Sequence, residues 1–283
     1  MNIGIIGLGL IGGTIAKSLN KKHKISAYDI NKETINYAID NNIINRGYLN
    51  LDNFLKDNNL IYLCLYPLDI IKFLKDNNSR INNDSLLIDI SGVKTNLINQ
   101  IENIENKPYD IVFTHPIAGS EKIGVKYANE NIFRNTNYLI TPTKENKQTN
   151  IKLVEKLARE MNFNNITIIT KEKHDQIIAY TSQLTHILSL SLVNSIDTDL
   201  KLKNYIGDSY RDLTRIAEIN SNLWIQLFID NKENLIKKIT DFQIELDKYK
   251  NALNNEDDYT LKKLMGKAKA THKKTMEEEK HES

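Results

Sequence analysis

Gly7, Gly9 and Gly12 punctuate the opening stretch MNIGIIGLGLIGG, directly after a short apolar run and directly before the helically spaced Thr14-Ile15-Ala16-Lys17-Ser18-Leu19. A strand, a tight turn and a helix start in that order form a cradle for a dinucleotide. Gly7 permits the turn, Gly9 lets the backbone approach a pyrophosphate, and Gly12 lets helix and strand pack closely. The helix start at Leu10 and Ile11 then offers unpaired N–H groups to the phosphates. A second strand, 25–28, ends in Asp29, near the ~20-residue offset at which an acidic side chain takes the ribose hydroxyls. No arginine stands at positions 30–32 to receive a 2′-phosphate, which favours NAD over NADP.

Ligands of a parallel sheet bind outside the carboxyl ends of its strands, so the residues that follow each later apolar run come next. Run 60–65 leads into Tyr66-Pro67-Leu68, of which Tyr66 and Pro67 are assigned to the cofactor side. Run 86–89 leads into Ile90-Ser91-Gly92-Val93-Lys94, and run 111–114 into His115-Pro116-Ile117-Ala118-Gly119-Ser120-Glu121. Of six histidines, only His115 stands at such a strand edge. There an imidazole can share the proton of a substrate hydroxyl while hydride leaves the same carbon. Position alone leaves a purely structural histidine open.

The elements that must hold these residues alternate through the first half. Apolar runs at 3–6, 25–28, 60–65, 86–89, 111–114, 138–141 and 166–170 are separated by helical patterns at 32–41, 68–75, 94–104 and 150–161. Such alternation predicts a mostly parallel sheet covered on both faces. Residues 116–135 lack a helical period and read as a functional loop or an antiparallel connection. Beyond 170 amphipathic helices take over, notably 174–195 and 222–249, the latter with Trp224, Leu227, Phe228, Leu235, Ile236, Ile239, Phe242 and Leu246 inward. The fold class is therefore α/β: a Rossmann-type, doubly wound, mostly parallel sheet over 1–170, then an all-α C-terminal domain over 171–283 for substrate binding and dimerisation, ending in a charged tail from 267.

Composition narrows the function. Lys and Arg number 38 against 36 Asp and Glu, a formal net charge of +2, so no basic field points to nucleic acid, and the tail's charges are mixed in sign. The single cysteine, Cys64, lies in an apolar run as a small hydrophobe, so a disulfide framework or a cysteine zinc site is excluded and no metal is expected. No stretch approaches the ~18 apolar residues of a membrane span, which reads as a soluble cytoplasmic protein acting on a small molecule.

Four blocks of the chain resemble the prephenate dehydrogenases of tyrosine biosynthesis. They are the glycine loop Gly7 to Gly13, the His115 to Glu121 block, Ser182-Gln183-Leu184-Thr185-His186, and Tyr210-Arg211-Asp212-Leu213-Thr214-Arg215-Ile216-Ala217 with Trp224 beyond it. The resemblance implies that His115 hydrogen-bonds the ring hydroxyl of the substrate and that Arg215 grips its carboxylate, a task suited to a planar guanidinium. It implies that Ser120, Glu121, Arg211, Gln183 and His186 line or gate the pocket. Where the family has a serine touching both histidine and substrate, this chain has Gly92, with Ser91 one position earlier as the candidate to replace it. Gln183 stands for a pocket histidine and Thr185 for a proline. The implied reaction turns prephenate and NAD into 4-hydroxyphenylpyruvate, carbon dioxide and NADH, with arogenate as the alternative substrate. The expected form is a monofunctional homodimer joined through the helical domain. His115 must be neutral to accept a hydrogen bond, so the rate is expected to fall as pH drops through a histidine pKa near ~6.5. A β-hydroxyacid dehydrogenase, which would want a catalytic lysine in its helical half, and a non-catalytic NAD-binding redox sensor are the rival readings.

Overall fold

In a computed structural model describing residues 1–119, 122–196 and 202–281, eight strands form one sheet. They are β1 (Asn2–Ile6), β2 (Lys24–Tyr28), β3 (Arg46–Tyr48), β4 (Leu60–Leu63), β5 (Leu86–Asp89), β6 (Asp110–Pro116), β7 (Asn137–Thr141) and β8 (Asn165–Ile168), in the spatial order β3-β2-β1-β4-β5-β6-β7-β8. All neighbours are parallel except β6 and β7, which pair antiparallel with His115 opposite Leu139. The order reverses between β1 and β4, which makes that crevice the ligand site of a doubly wound sheet.

Helices α1 (Leu10–Leu19), α2 (Lys32–Asp40), α3 (Leu51–Asp57), α4 (Pro67–Asn77), α5 (Thr95–Glu102) and α6 (Gln148–Glu160) cover the two faces. Alternate strand residues divide between two cores: Tyr62, Ile88 and Val112 join α1 and α6, whereas Ile61, Leu63, Leu87 and Phe113 join α3, α4 and α5. Burial on both faces is what makes these strands read as unbroken apolar runs, each large side chain contributing roughly 1.5–3 kcal/mol. Between β6 and β7 the described residues include the 3₁₀ turns Val125–Tyr127 and Glu130–Phe133. Lys17 of α1 donates to the Ala128 carbonyl at 2.7 Å and pins this segment to the glycine-loop helix.

From Lys171 onward the described residues form helices and the turns that join them. Helix α7 (Lys171–Ile178) runs through a π-helical segment, Ala179–Gln183, into α8 (Leu184–Asn194), and α9 (Asp208–Thr214) continues into a 3₁₀ turn, Arg215–Ala217. The expected helix over 222–249 is two helices, α10 (Ser221–Asp230) and α11 (Lys232–Asn254), parted at Asn231. Asn231 leaves helical geometry at φ −119° and ψ 22°, and its side-chain amide donates to the Asp175 carbonyl at 2.9 Å and to Gln183 Oε1 at 2.8 Å. Of the residues expected to face inward there, Leu227 and Leu235 are buried, but Ile236 is 61% exposed and Leu246 56%. Helix α12 (Asp258–His281) carries the charged tail. Among the described residues no helix is long and apolar enough to cross a membrane.

Candidate active site

The three glycines of the opening loop do different work. Gly7 has φ +91°, and a Cβ there would lie 2.5 Å from the Cys64 carbonyl oxygen; one at Gly12 would lie 2.1 Å from the Gly7 carbonyl oxygen. Both are therefore required by the fold itself. At Gly9, the residue preceding α1, a Cβ would meet nothing within 4 Å. The backbone there borders open space at a helix N-terminus whose Leu10 and Ile11 lead the first turn, a cradle that fits a pyrophosphate. Asp29 at the end of β2 braces the loop, accepting from Leu8 N–H at 2.8 Å and Asn31 N–H at 2.9 Å. Its carboxylate retains lone pairs for ribose hydroxyls. Tyr66 and Pro67 open α4, and they meet the helical half: Asn220 donates to the Tyr66 hydroxyl at 2.6 Å, and Gln226 accepts from Leu68 N–H at 3.2 Å.

The loop after β5 is shaped by a buried ion pair. Lys94 reaches back to Asp89, both fully buried, and donates to the Ser91 carbonyl at 2.8 Å. Burial lowers the Lys94 pKa, and the Asp89 carboxylate works against that by favouring the charged ammonium. Ser91, expected to reach the substrate, is turned into this cluster: its hydroxyl lies 3.2 Å from Asp89 Oδ2 and 3.1 Å from the Val93 carbonyl, and accepts from Lys94 at 3.1 Å. It braces the loop, because the hydrogen bonds of the turn use its hydroxyl. Gly92 is the residue that faces the imidazole, for a Cβ there would lie 3.8 Å from His115 Nε2 and 3.3 Å from the Leu227 methyl.

His115 is met from its other side by His174, which Asp175 backs in turn, two residues that sequence reasoning missed. Its Nδ1 lies 2.9 Å from Nε2 of His174, and His174 Nδ1 lies 2.8 Å from Asp175 Oδ1. Asp175 also accepts from the backbone N–H groups of Lys94 at 2.9 Å and Thr95 at 2.8 Å, at the start of α5. Burial, then the neighbouring His174 and the Lys94 ammonium, push the His115 pKa well below 6.5. Burial also lowers His174 despite Asp175 beside it. Burial would raise Asp175, but hydrogen bonds from His174 and Thr95 outweigh it and leave the carboxyl below its ordinary value. The adjacent His-Asp pair one turn into the first helix after the sheet was the available signal.

The helical half adds a polar and aromatic wall. Gln183 is buried, donating to the Leu227 carbonyl at 2.8 Å and accepting from Asn231, so it locks α10 and α11 to the π-helical segment. One turn on, His186 donates from Nδ1 to the Ser182 carbonyl at 2.8 Å, and its ring packs on Trp224 with centroids 3.7 Å apart. Burial lowers the His186 pKa; the Ser182 hydrogen bond opposes this and the positive charge of Arg215 adds to it. Arg211 goes elsewhere: it is exposed and pairs with Asp208 on its own helix at 2.8 Å. Ser120 and Glu121 lie outside the described residues.

Comparison with known proteins supplies the family. The family model described as prephenate dehydrogenase, nucleotide-binding domain, matches residues 15–166, and the one described as prephenate dehydrogenase, dimerization domain, matches residues 170–267. The chain belongs to the prephenate dehydrogenase family. A crystal structure of the Aquifex aeolicus prephenate dehydrogenase in complex with hydroxyphenyl propionate and NAD+ is 31% identical, covers 98% of each chain and superimposes with a TM-score of 0.86. The Bacillus subtilis (strain 168) prephenate dehydrogenase is 26% identical over 94% of this chain and 73% of its own. The cyclohexadienyl dehydrogenase of Zymomonas mobilis is 25% identical over 95% of this chain and 94% of its own. As a member of this family the chain is an NAD-dependent dehydrogenase, and a redox sensor without catalysis finds no support.

Proposed function

We propose that this dehydrogenase oxidises and decarboxylates prephenate. The observation that carries the reading is an imidazole at the carboxyl edge of β6, kept uncharged at neutral pH, with Nε2 beside the side-chain-free Gly92. The curated relatives named prephenate dehydrogenase support the substrate class.

Gly9 and the N–H groups of Leu10 and Ile11 hold the pyrophosphate of NAD, and Asp29 takes the ribose hydroxyls and repels a 2′-phosphate. NAD supplies the hydride acceptor. His115 takes the hydrogen bond, and then the proton, of the ring hydroxyl as that carbon becomes a carbonyl. Cleavage of the bond to the ring carboxylate releases carbon dioxide and sends its electron pair through the ring onto the carbonyl oxygen, leaving an aromatic phenolate that takes the proton back from His115 to become the phenol. Arg215 anchors the side-chain carboxylate, with His186 and Trp224 as the wall beside it. Tyr66 and Pro67 close the cofactor side where the two halves meet, and Ser120 and Glu121, which follow His115 in the sequence, are assigned to the substrate pocket. The enzyme is proposed to work in the cytoplasm as a homodimer, supported by the dimerization-domain match and by Ile236 and Leu246, which a second copy would cover.

The experiment is NADH production with prephenate and with arogenate, each with NAD and NADP. Preferred turnover of prephenate with NAD is expected. Turnover of arogenate alone would make the enzyme an arogenate dehydrogenase, and turnover of neither would overturn the reading.

A further inference from the structure

A neutral imidazole can accept a hydrogen bond only at the nitrogen that carries no proton, so His115 works only in one of its two tautomers. The surroundings decide which. Asp175 is buried and receives three donors: the N–H groups of Lys94 and Thr95 at 2.9 and 2.8 Å and His174 Nδ1 at 2.8 Å. A carboxylate held this way at a helix start is ionised and can only accept. His174 Nδ1 must therefore carry the hydrogen, and a neutral His174 then has a bare Nε2. That bare nitrogen lies 2.9 Å from His115 Nδ1, which must in turn carry the hydrogen.

We infer that Asp175 and His174 are positioning residues that hold His115 as its Nδ1–H tautomer, leaving Nε2 bare toward the substrate hydroxyl. The proposal rests on His115 acting as in the preceding section, but its tautomer is fixed whether or not that section names the right substrate. Gly92 sharpens the requirement, because on the Nε2 side this position has no hydroxyl to orient the ring. The Lys94 charge acts on both imidazoles and its backbone N–H holds Asp175, so one loop both disfavours protonation of the pair and fixes its hydrogen-bond direction. Asn231, donating to the Asp175 carbonyl at 2.9 Å, ties the relay to the break between α10 and α11.

The test combines a tautomer measurement with a substitution that reverses hydrogen-bond direction. In the wild-type enzyme, two-bond ¹H–¹⁵N correlation spectra should show His115 protonated at Nδ1 and bare at Nε2. Asp175→Asn introduces a donor where only an acceptor stood; His174 then accepts at Nδ1 and donates from Nε2, and His115 is left protonated on the substrate side. The expected result is the opposite tautomer at His115, with kcat lower by about 10²–10⁴-fold, the range a positioned general base contributes, and KM and NAD affinity changed only a few-fold. A second pair of variants separates positioning from bulk. His174→Gln retains an acceptor facing His115 and should recover part of the turnover that His174→Leu loses. A wild-type His115 protonated at Nε2 would overturn the proposal, as would equal kcat losses in Gln and Leu variants of matched thermal stability. Failure to oxidise prephenate with the wild-type tautomer as described would instead count against the substrate reading.

Discussion

His115 and His174 share one hydrogen bond, with 2.9 Å between their nitrogens and their ring centroids 5.1 Å apart at 51°. Two imidazoles this close, beside a buried lysine, cannot both take a proton without strong repulsion, and burial disfavours even one. His115 therefore keeps its proton-accepting form well below the ordinary histidine value of 6.5. The sequence alone predicts an acid limb near that value; the structure moves it lower. kcat/KM for prephenate should be flat through pH 6.5 and fall only well beneath it. The sign for stability agrees: the unfolded chain takes up protons that the folded one refuses, so stability is lost as pH falls below the unfolded value. A pH–rate profile and a melting series against pH check both, and a rate limb centred at or above 6.5 would contradict the first.

The glycine loop separates binding from folding. A Cβ at Gly12 would meet a backbone oxygen at 2.1 Å, whereas a Cβ at Gly9 would meet nothing within 4 Å. Gly12→Ala should lower the melting temperature by at least ~5 °C, as expected for a close backbone clash. Gly9→Ala should melt within ~2 °C of the wild type, because an exposed substitution without strain costs little. Its loss appears in NAD affinity, expected to fall at least about tenfold as the methyl occupies the pyrophosphate's approach. Calorimetry and NAD titration of the two variants decide it; unchanged NAD affinity in Gly9→Ala would place the phosphates elsewhere.

Gly92 stands where the resemblance to the family implies a serine, and its φ does not demand glycine. A new Cβ would press only on the end of the Leu227 side chain, at 3.3 Å, which can yield by a few tenths of an ångström. Gly92→Ser should therefore fold with little loss. Its hydroxyl would come within hydrogen-bond reach of His115 Nε2 and of the substrate, and one such bond is worth ~1 kcal/mol. KM for prephenate should fall by about fivefold, the same free energy expressed as a ratio. A rise in KM would show instead that the space over Gly92 is occupied by substrate.

What the sequence made legible follows from how each feature is encoded. The doubly wound sheet was readable because strands buried on both faces become apolar runs, and the glycine loop because turn and close approach each demand a residue without a side chain. Strand β3 and helix α3 were not readable. Arg46-Gly47-Tyr48 is a three-residue edge strand without an apolar run, and α3 is a seven-residue helix within Asn-rich sequence, started by Asn50 accepting from Asn53 N–H at 3.0 Å. The break at Asn231 was hidden because its cause is tertiary: the side-chain bonds to Asp175 and Gln183 come from residues 56 and 48 positions away. Ser91 and Gly92 show the same limit at the site, since which of two adjacent residues faces an imidazole depends on an ion pair, Asp89 with Lys94, that spacing does not reveal.

Arg215 offers a test that reads charge and geometry separately. Its guanidinium acts on His186, whose ring packs on Trp224, and the proposal gives it the substrate's side-chain carboxylate. A planar fork holds a carboxylate with two parallel hydrogen bonds, whereas an ammonium provides only a point charge. Arg215→Lys should therefore raise KM for prephenate about tenfold, consistent with losing one charge-assisted bond of ~1.5 kcal/mol, and leave NAD affinity unchanged. Arg215→Gln should raise it further. The same two variants are expected to differ at His186: its pKa should rise in Arg215→Gln, where the positive charge is gone, and stay near the wild-type value in Arg215→Lys, where it remains. Steady-state kinetics and an NMR titration of His186 measure the two effects on the same proteins. An unchanged KM alongside a raised His186 pKa would leave Arg215 beside the aromatic wall but remove it from carboxylate recognition.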